Sequence, residues 1–243
     1  MLDLQSGRAV AGLRRLRALS LTKDVPEALW PLTVDGFVRL VNNGNFAEAE
    51  ALAAWAPPAR HLAACTAACR HDALAALVVL ALQEGRKAPD ILARLEAARQ
   101  GGLVPARMQS LTVAAFVTLV NATEYKAAKS LWPSVEALVI SLRPPFEDTG
   151  RDLLFAAGML ALQSREDVHR AAILFARLRD GLLRRAADGA KLDTLFWSIL
   201  RGEIIALNRL NRGAEAVEIL KAVTAIHDDA PDDLSLQPEP AGP

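Results

Sequence analysis

Leu32-Thr33-Val34-x-x-Phe37-Val38-x-Leu40-Val41-Asn42 comes back about eighty residues later as Leu111-Thr112-Val113-x-x-Phe116-Val117-x-Leu119-Val120-Asn121. The match continues through Phe46/Tyr125, Ala49/Ala128 and Leu52/Leu131, so aromatic, small and aliphatic positions recur in one register. Further on, Leu80-Ala81-Leu82-Gln83 is answered by Leu160-Ala161-Leu162-Gln163, and Leu92-Ala93-Arg94-Leu95 by Phe175-Ala176-Arg177-Leu178. Leu192, Phe196 and Trp197 stand where a third copy begins. Self-similarity at a fixed spacing outranks any local motif, because it implies that one supersecondary unit is built several times and stacked.

The composition makes that unit helical. Alanine and leucine dominate, tyrosine occurs once, and strand-like runs of β-branched residues are scarce, so no sheet is predicted. Apolar residues fall at helical spacing, as in Phe37, Leu40 and Val41, or Leu195 and Ile199 with Ile205 and Leu207 further along. Tight turns follow at steady intervals: Asn43-Gly44-Asn45, Glu84-Gly85-Arg86, Ala122-Thr123-Glu124, Ser164-Arg165-Glu166 and Asn211-Arg212-Gly213. Looser breaks lie between them at Pro57-Pro58, Gly101-Gly102 with Pro105, Pro144-Pro145 and Asp188-Gly189. The pattern predicts an all-α fold, an α-α superhelix of about five stacked antiparallel hairpins. They cover approximately 30 to 55, 60 to 100, 106 to 142, 148 to 187 and 191 to 228, and two hairpins make one unit of about eighty residues. Ala49, Ala128, Ala172 and Ala216 are the small residues expected where two helices cross closely.

The 243 residues are 52% hydrophobic and 23% charged, enough for a sizeable core. Lys+Arg 28 balances Asp+Glu 28, so the net charge gives no basic excess of the kind that phosphate neutralisation requires. No apolar run approaches the length of a membrane span, and two cysteines make no disulfide framework.

Three regions follow: 1–29, a basic N-terminal segment; 30–228, the helical-repeat domain; and 229–243, an acidic, proline-rich tail. In the first, Arg8, Arg14, Arg15 and Arg17 interleave with Leu4, Val10, Leu13, Leu16 and Leu19, which reads either as a mitochondrial targeting sequence or as a first amphipathic helix. The expected location is accordingly the mitochondrion, with the cytoplasm as the alternative. The tail, Asp228-Asp229-Ala230-Pro231-Asp232-Asp233-Leu234-Ser235-Leu236 onward, carries no helical stripe; Leu234 and Leu236 are its candidate anchors to a partner.

The run from Phe37 to Leu52, an apolar helix ending in Asn-x-Gly-x-Phe and followed by Ala-Glu-Ala and a leucine, resembles the helix pairs of tetratricopeptide and pentatricopeptide repeat proteins. Phe116 to Leu131 is similar, with Thr123-x-Tyr125 in place of Gly44-x-Phe46, and Leu207 to Leu220 resembles the tetratricopeptide form. The resemblance implies a stacked-hairpin solenoid that binds peptides in one family and single-stranded RNA in the other. For the RNA readers it points to Asp35 and Ala114 as the base-reading positions. An alanine forms no hydrogen bond to a base edge, and with zero net charge a modular base code is not expected.

Signals for chemistry are weak. His61, Cys65 and Cys69 lie four residues apart on what reads as one helix, yet one straight helix does not wrap a tetrahedral metal and no second Cys pair exists; packed thiols among alanines account for them. His61, His71, His169 and His227 have no adjacent nucleophile or acid motif, Glu166-x-x-His169 is a single copy, and Gly101-Gly102 lacks the lysine and hydroxyl of a phosphate loop. No catalytic, cofactor-binding or metal-ligating residue is assigned. The candidate partner-binding residues are Arg14, Arg15, Arg17, Trp30, Trp132, Leu234 and Leu236, with Trp197 assigned to the core. The sequence thus predicts a non-catalytic scaffold or adaptor, a subunit that contacts other proteins of a larger assembly. An RNA-binding pentatricopeptide-like protein is the alternative.

Overall fold

The structure, a computed structural model, describes residues 30–83, 87–187 and 193–224. Among these residues it is all-helical, with eleven α-helices and no strand. The helices are α1 (Trp30–Asn42), α2 (Phe46–Trp55), α3 (Pro58–His61), α4 (Ala67–Gln83), α5 (Ala88–Gln100), α6 (Pro105–Asn121), α7 (Tyr125–Ser141), α8 (Asp148–Leu162), α9 (Val168–Ala187), α10 (Thr194–Arg209) and α11 (Gly213–Thr224). A short 3₁₀ turn, Leu62–Ala64, follows α3. The chain divides into two compact units between Thr118 and Leu119, within α6. The segments 1–29 and 225–243, and with them Arg14, Arg15, Arg17, Leu234 and Leu236, lie outside the described residues, as do the turn at 84–86 and Leu192.

The recurring sequence builds recurring local structure. After α1, the Gly44 and Asn45 N–H groups donate to the Val41 and Leu40 carbonyls; after α6, Thr123 and Glu124 donate to Val120 and Leu119; after α10, Asn211 and Arg212 donate to Asn208 and Leu207. Each is the paired-carbonyl helix stop that needs a left-handed residue just past the last turn, and Gly44, Thr123 and Asn211 have φ of 74°, 61° and 58°. The next helix then opens in the same register, with Ala49, Ala128 and Ala216 donating to Asn45, Glu124 and Arg212. Thr33 and Thr112 are both buried and both return their hydroxyls to a carbonyl one turn back, on Trp30 and Met108.

In the first unit the core gathers Val34, Phe37, Leu40 and Val41 from α1, Ala49 and Leu52 from α2, and Ala73, Ala76 and Leu80 from α4. Helix α1 packs on α2 and α4, and α4 on α5. Full burial of a side chain such as Phe37 stabilises by about 1.5–3 kcal/mol.

In the second unit α9 lies against both α8 and α10. Its Phe175 ring is clamped: a Cβ built on Gly158 of α8 or on Gly202 of α10 would stand 2.8 and 2.7 Å from ring atoms. Phe155 meets the same ring edge-on at 6.1 Å. The expected crossing alanines Ala49, Ala128, Ala172 and Ala216 are all buried.

Two sequence readings need correction. His61, Cys65 and Cys69 do not share a helix: His61 ends α3, Cys65 follows the 3₁₀ turn, and Cys69 belongs to the first turn of α4. The break is caused by Thr66, whose hydroxyl accepts from the Cys69 N–H and whose carbonyl accepts from Arg70, so α4 begins at Ala67. Trp197 is only half-buried, edge-on to the fully buried Phe196 at 5.2 Å.

Candidate docking site

The second unit carries a cavity of about 270 Å³ lined by α7, the C-terminal half of α8, the turn after it and the start of α9. Helix α7 supplies Tyr125, Lys126, Lys129 and Trp132; the positions 125, 129 and 132 are separated by four and three residues, so they share one helical face. The turn at Thr123 fixes where that face begins. Helix α8 supplies Ala157, Leu160 and Ala161, again at three- and four-residue steps, and the small alanines leave the floor open and apolar. Gln163, Ser164 and Asp167 close one end and Arg170 stands on the rim.

The electrostatics are one-sided. Three cations, Lys126, Lys129 and Arg170, face one carboxylate, Asp167. Arg170 donates to Glu136 at 3.2 Å and holds its guanidinium 5.2 Å from the centre of the Trp132 ring, a cation–π contact that orients both groups. Neither Lys126 nor Lys129 forms an ion pair among the described residues, and both are exposed.

Two exposed isoleucines lie beyond the rim, among charged groups. Positions 132, 136 and 140 share a face of α7, and Ile140 is 62% exposed. On α9, Ile173 is 53% exposed and lies between Arg170, which reaches Glu136, and Arg177, which donates to the Val139 and Leu142 carbonyls. Ile140 and Ile173 therefore lie along one α7–α9 seam, and with Val104 they make up the large exposed hydrophobics of the described residues. An exposed pair of isoleucines beside an aromatic, cation-rimmed pocket is chemistry for binding a chain that carries both carboxylates and aliphatic side chains.

Of the residues singled out from sequence, Trp132 lines this pocket, while Trp30 packs half-buried against the first unit's core. Asp35 is half-buried and paired with Arg39 at 2.9 Å, and Ala114 is exposed. Lys126, Lys129 and Arg170 escaped sequence reasoning. A signal for the two lysines existed: at the matched positions of the first copy stand Ala47 and Glu50, with Ala53 opposite Trp132. Arg170 had none, because only folding brings it to Trp132.

Two ionisable groups elsewhere have unusual surroundings. Glu203 of α10 is 2% exposed and accepts from Arg179 at 2.6 Å, while its Oε2 has no hydrogen-bond partner among the described residues. Burial pushes its carboxyl up to about 7 despite the neighbouring Arg179. Burial and the adjacent Cys65 push the Cys69 thiol up to about 12, so it stays protonated at neutral pH, whereas the thiolate is the form that attacks or binds metal. No group of three or more His, Cys, Asp or Glu among the described residues could hold a metal ion. No described helix is long and apolar enough to cross a membrane. Comparison with protein-family models, with curated proteins and with solved structures finds no match to this chain.

Proposed function

We propose that this chain is a non-catalytic helical-repeat scaffold, a protein-binding subunit of a larger assembly. Its helices stack as about five hairpins of the tetratricopeptide and pentatricopeptide kind, with mitochondrial location as the working assignment from the arginine-rich start. The observation that supports the binding role is the pocket of Tyr125, Lys126, Lys129, Trp132 and Arg170, continued by exposed Ile140 and Ile173. Its rim favours carboxylates, its floor favours aliphatic side chains, and the ordered Trp132–Arg170 pair offers the kind of rigid anchor on which interface energy concentrates. The partner feature it suits is an extended acidic segment with leucine-like anchors on another protein.

A protein partner is preferred to RNA because the lysines and arginine surround an apolar floor rather than tracking along a groove, and the chain has no basic excess. The test is to purify the tagged full chain from its native source beside the variant Lys126→Ala/Lys129→Glu/Trp132→Ala, which installs the first copy's residues. Partner proteins should be retained through nuclease treatment by the wild type and lost by the variant, with equal thermal melts. Retention that is indifferent to the three substitutions would overturn the assignment of the pocket. Loss of all partners on nuclease treatment would move the reading to RNA.

A further inference from the structure

The pocket's occupant can be taken one step further, on the premise that it is a docking site for acidic segments. We infer that this chain's own C-terminal acidic segment, Asp228 to Leu236, docks in cis on the α7–α8–α9 pocket and must be displaced before a partner binds.

Charge and pattern fit. The segment presents Asp228, Asp229, Asp232 and Asp233 and then Leu234 and Leu236, spaced by one residue. The pocket presents Lys126, Lys129 and Arg170 around Ala157, Leu160 and Ala161, with Ile140 and Ile173 beyond. Acids meet the rim and leucines meet the apolar floor or the exposed isoleucines. The other long segment outside the described residues, 1–29, is arginine-rich and has the wrong sign.

Reach permits it. Arg209 at the end of α10 donates to the Leu162 carbonyl at 2.7 Å, which puts the end of α10 beside the end of α8, where Gln163 and Ser164 close the pocket. Helix α11 begins four residues later and has 12 residues, so it leads away by about 18 Å at 1.5 Å per residue. The ten residues from 225 to 234 span up to about 33 Å when extended, enough to return. A tether this short holds the segment near the pocket at an effective concentration on the order of millimolar, so even weak intrinsic affinity fills the site.

The experiment uses the full chain. A fluorescein-labelled synthetic peptide of residues 226–240 is titrated onto the wild type and onto the full-length variant Asp232→Asn/Asp233→Asn/Leu234→Ser/Leu236→Ser. The variant should bind the peptide at least about tenfold more tightly than the wild type, since its pocket is vacated. Binding should weaken as salt rises and vanish when Lys126→Ala/Lys129→Glu/Trp132→Ala is added. Equal binding to both chains overturns occupancy in cis while leaving the pocket as a docking site; binding to neither overturns the segment as a ligand. A second measurement keeps the two readings apart. Zero-length carbodiimide crosslinking of the wild type, in a mixture of isotopically heavy and light chains, should join Lys126 or Lys129 to Asp232 or Asp233 within one chain. Links solely between heavy and light chains, or both lysines recovered without any link to the segment, overturn the proposal. Failure of the docking reading itself would appear separately, as partner capture unaffected by the pocket substitutions.

Discussion

Between Leu32 and Leu52 and again between Leu111 and Leu131, the inward-facing residues are nearly interchangeable and the outward-facing ones are not. Phe37 and Phe116, Ala49 and Ala128, Leu40 and Leu119 are buried alike, and the turns share their hydrogen bonds. On the second helix, however, Ala47, Glu50 and Ala53 of the first copy become Lys126, Lys129 and Trp132, and fully buried Leu52 becomes half-buried Leu131. Where folding constrains a position, both copies keep the same residue class. Where it does not, the second copy has acquired cations and an aromatic ring around a cavity. The contrast separates what builds the hairpin from what the hairpin is used for.

The largest test of the comparison is the phenylalanine pair. Phe37→Ala and Phe116→Ala should each cost about 3–5 kcal/mol in denaturant unfolding, because both rings are fully buried. A loss below about 1 kcal/mol at either would break the equivalence of the two copies.

The units also differ in buried charge: Glu203, in the second, is the buried Asp, Glu, Lys or Arg side chain of the described residues. Its carboxyl is raised from 4.5 to about 7, so between these values the folded state binds the proton more tightly than the unfolded chain, and stability falls as pH rises. The cost is absent below about pH 4.5 and complete above about pH 7. Glu203→Gln, which mimics the protonated form and leaves Arg179 paired with Asp180, should stabilise by up to about 3 kcal/mol at pH 8 and by little at pH 4.5, read from unfolding at the two pH values. A gain that is the same at both would mean that the proton is not the cause.

Close approaches sharpen the contrast further. An alanine at Gly202 meets the Phe175 ring, which Gly158 blocks on its other side, and should cost about 1–3 kcal/mol. An alanine at Gly101 in the first unit meets the tip of Leu74, which can rotate aside, and its thermal melt should change less. Equal melting shifts at the two sites would show that the ring is free to move.

The smallest effect lies in the turns. Thr123 occupies the left-handed conformation that Gly44 adopts without steric cost, so Thr123→Gly should stabilise by about 1 kcal/mol and Gly44→Thr should destabilise by a similar amount. Thermal melts of the two variants would read out the pair, and shifts of like sign would show that the turns differ.

Much of the helix layout was legible in the chain because apolar spacing and turn chemistry are local. Four of the five tight turns fall among the described residues and sit between helices where the sequence placed them, and the four crossing alanines are buried. The exception was local too: Thr66 caps a new helix and breaks the run that was read as one helix carrying His61, Cys65 and Cys69. The site was legible only at Trp132, as a large aromatic near a hairpin end. Arg170 is 38 residues from Trp132 in the sequence and no periodicity links them.

By itself the sequence determined the helical class, the turns and the matching of the two copies, since each depends on contacts within a turn or two of chain. Only the tertiary structure decided which outward faces come together. The packing of α9 against α8 and its hydrogen bonds to α7 carry Arg170 to Trp132, open a floor of alanines between them, and bury Glu203 beside Arg179. Those are contacts between distant segments, fixed by how helices pack rather than by any one helix's preferences.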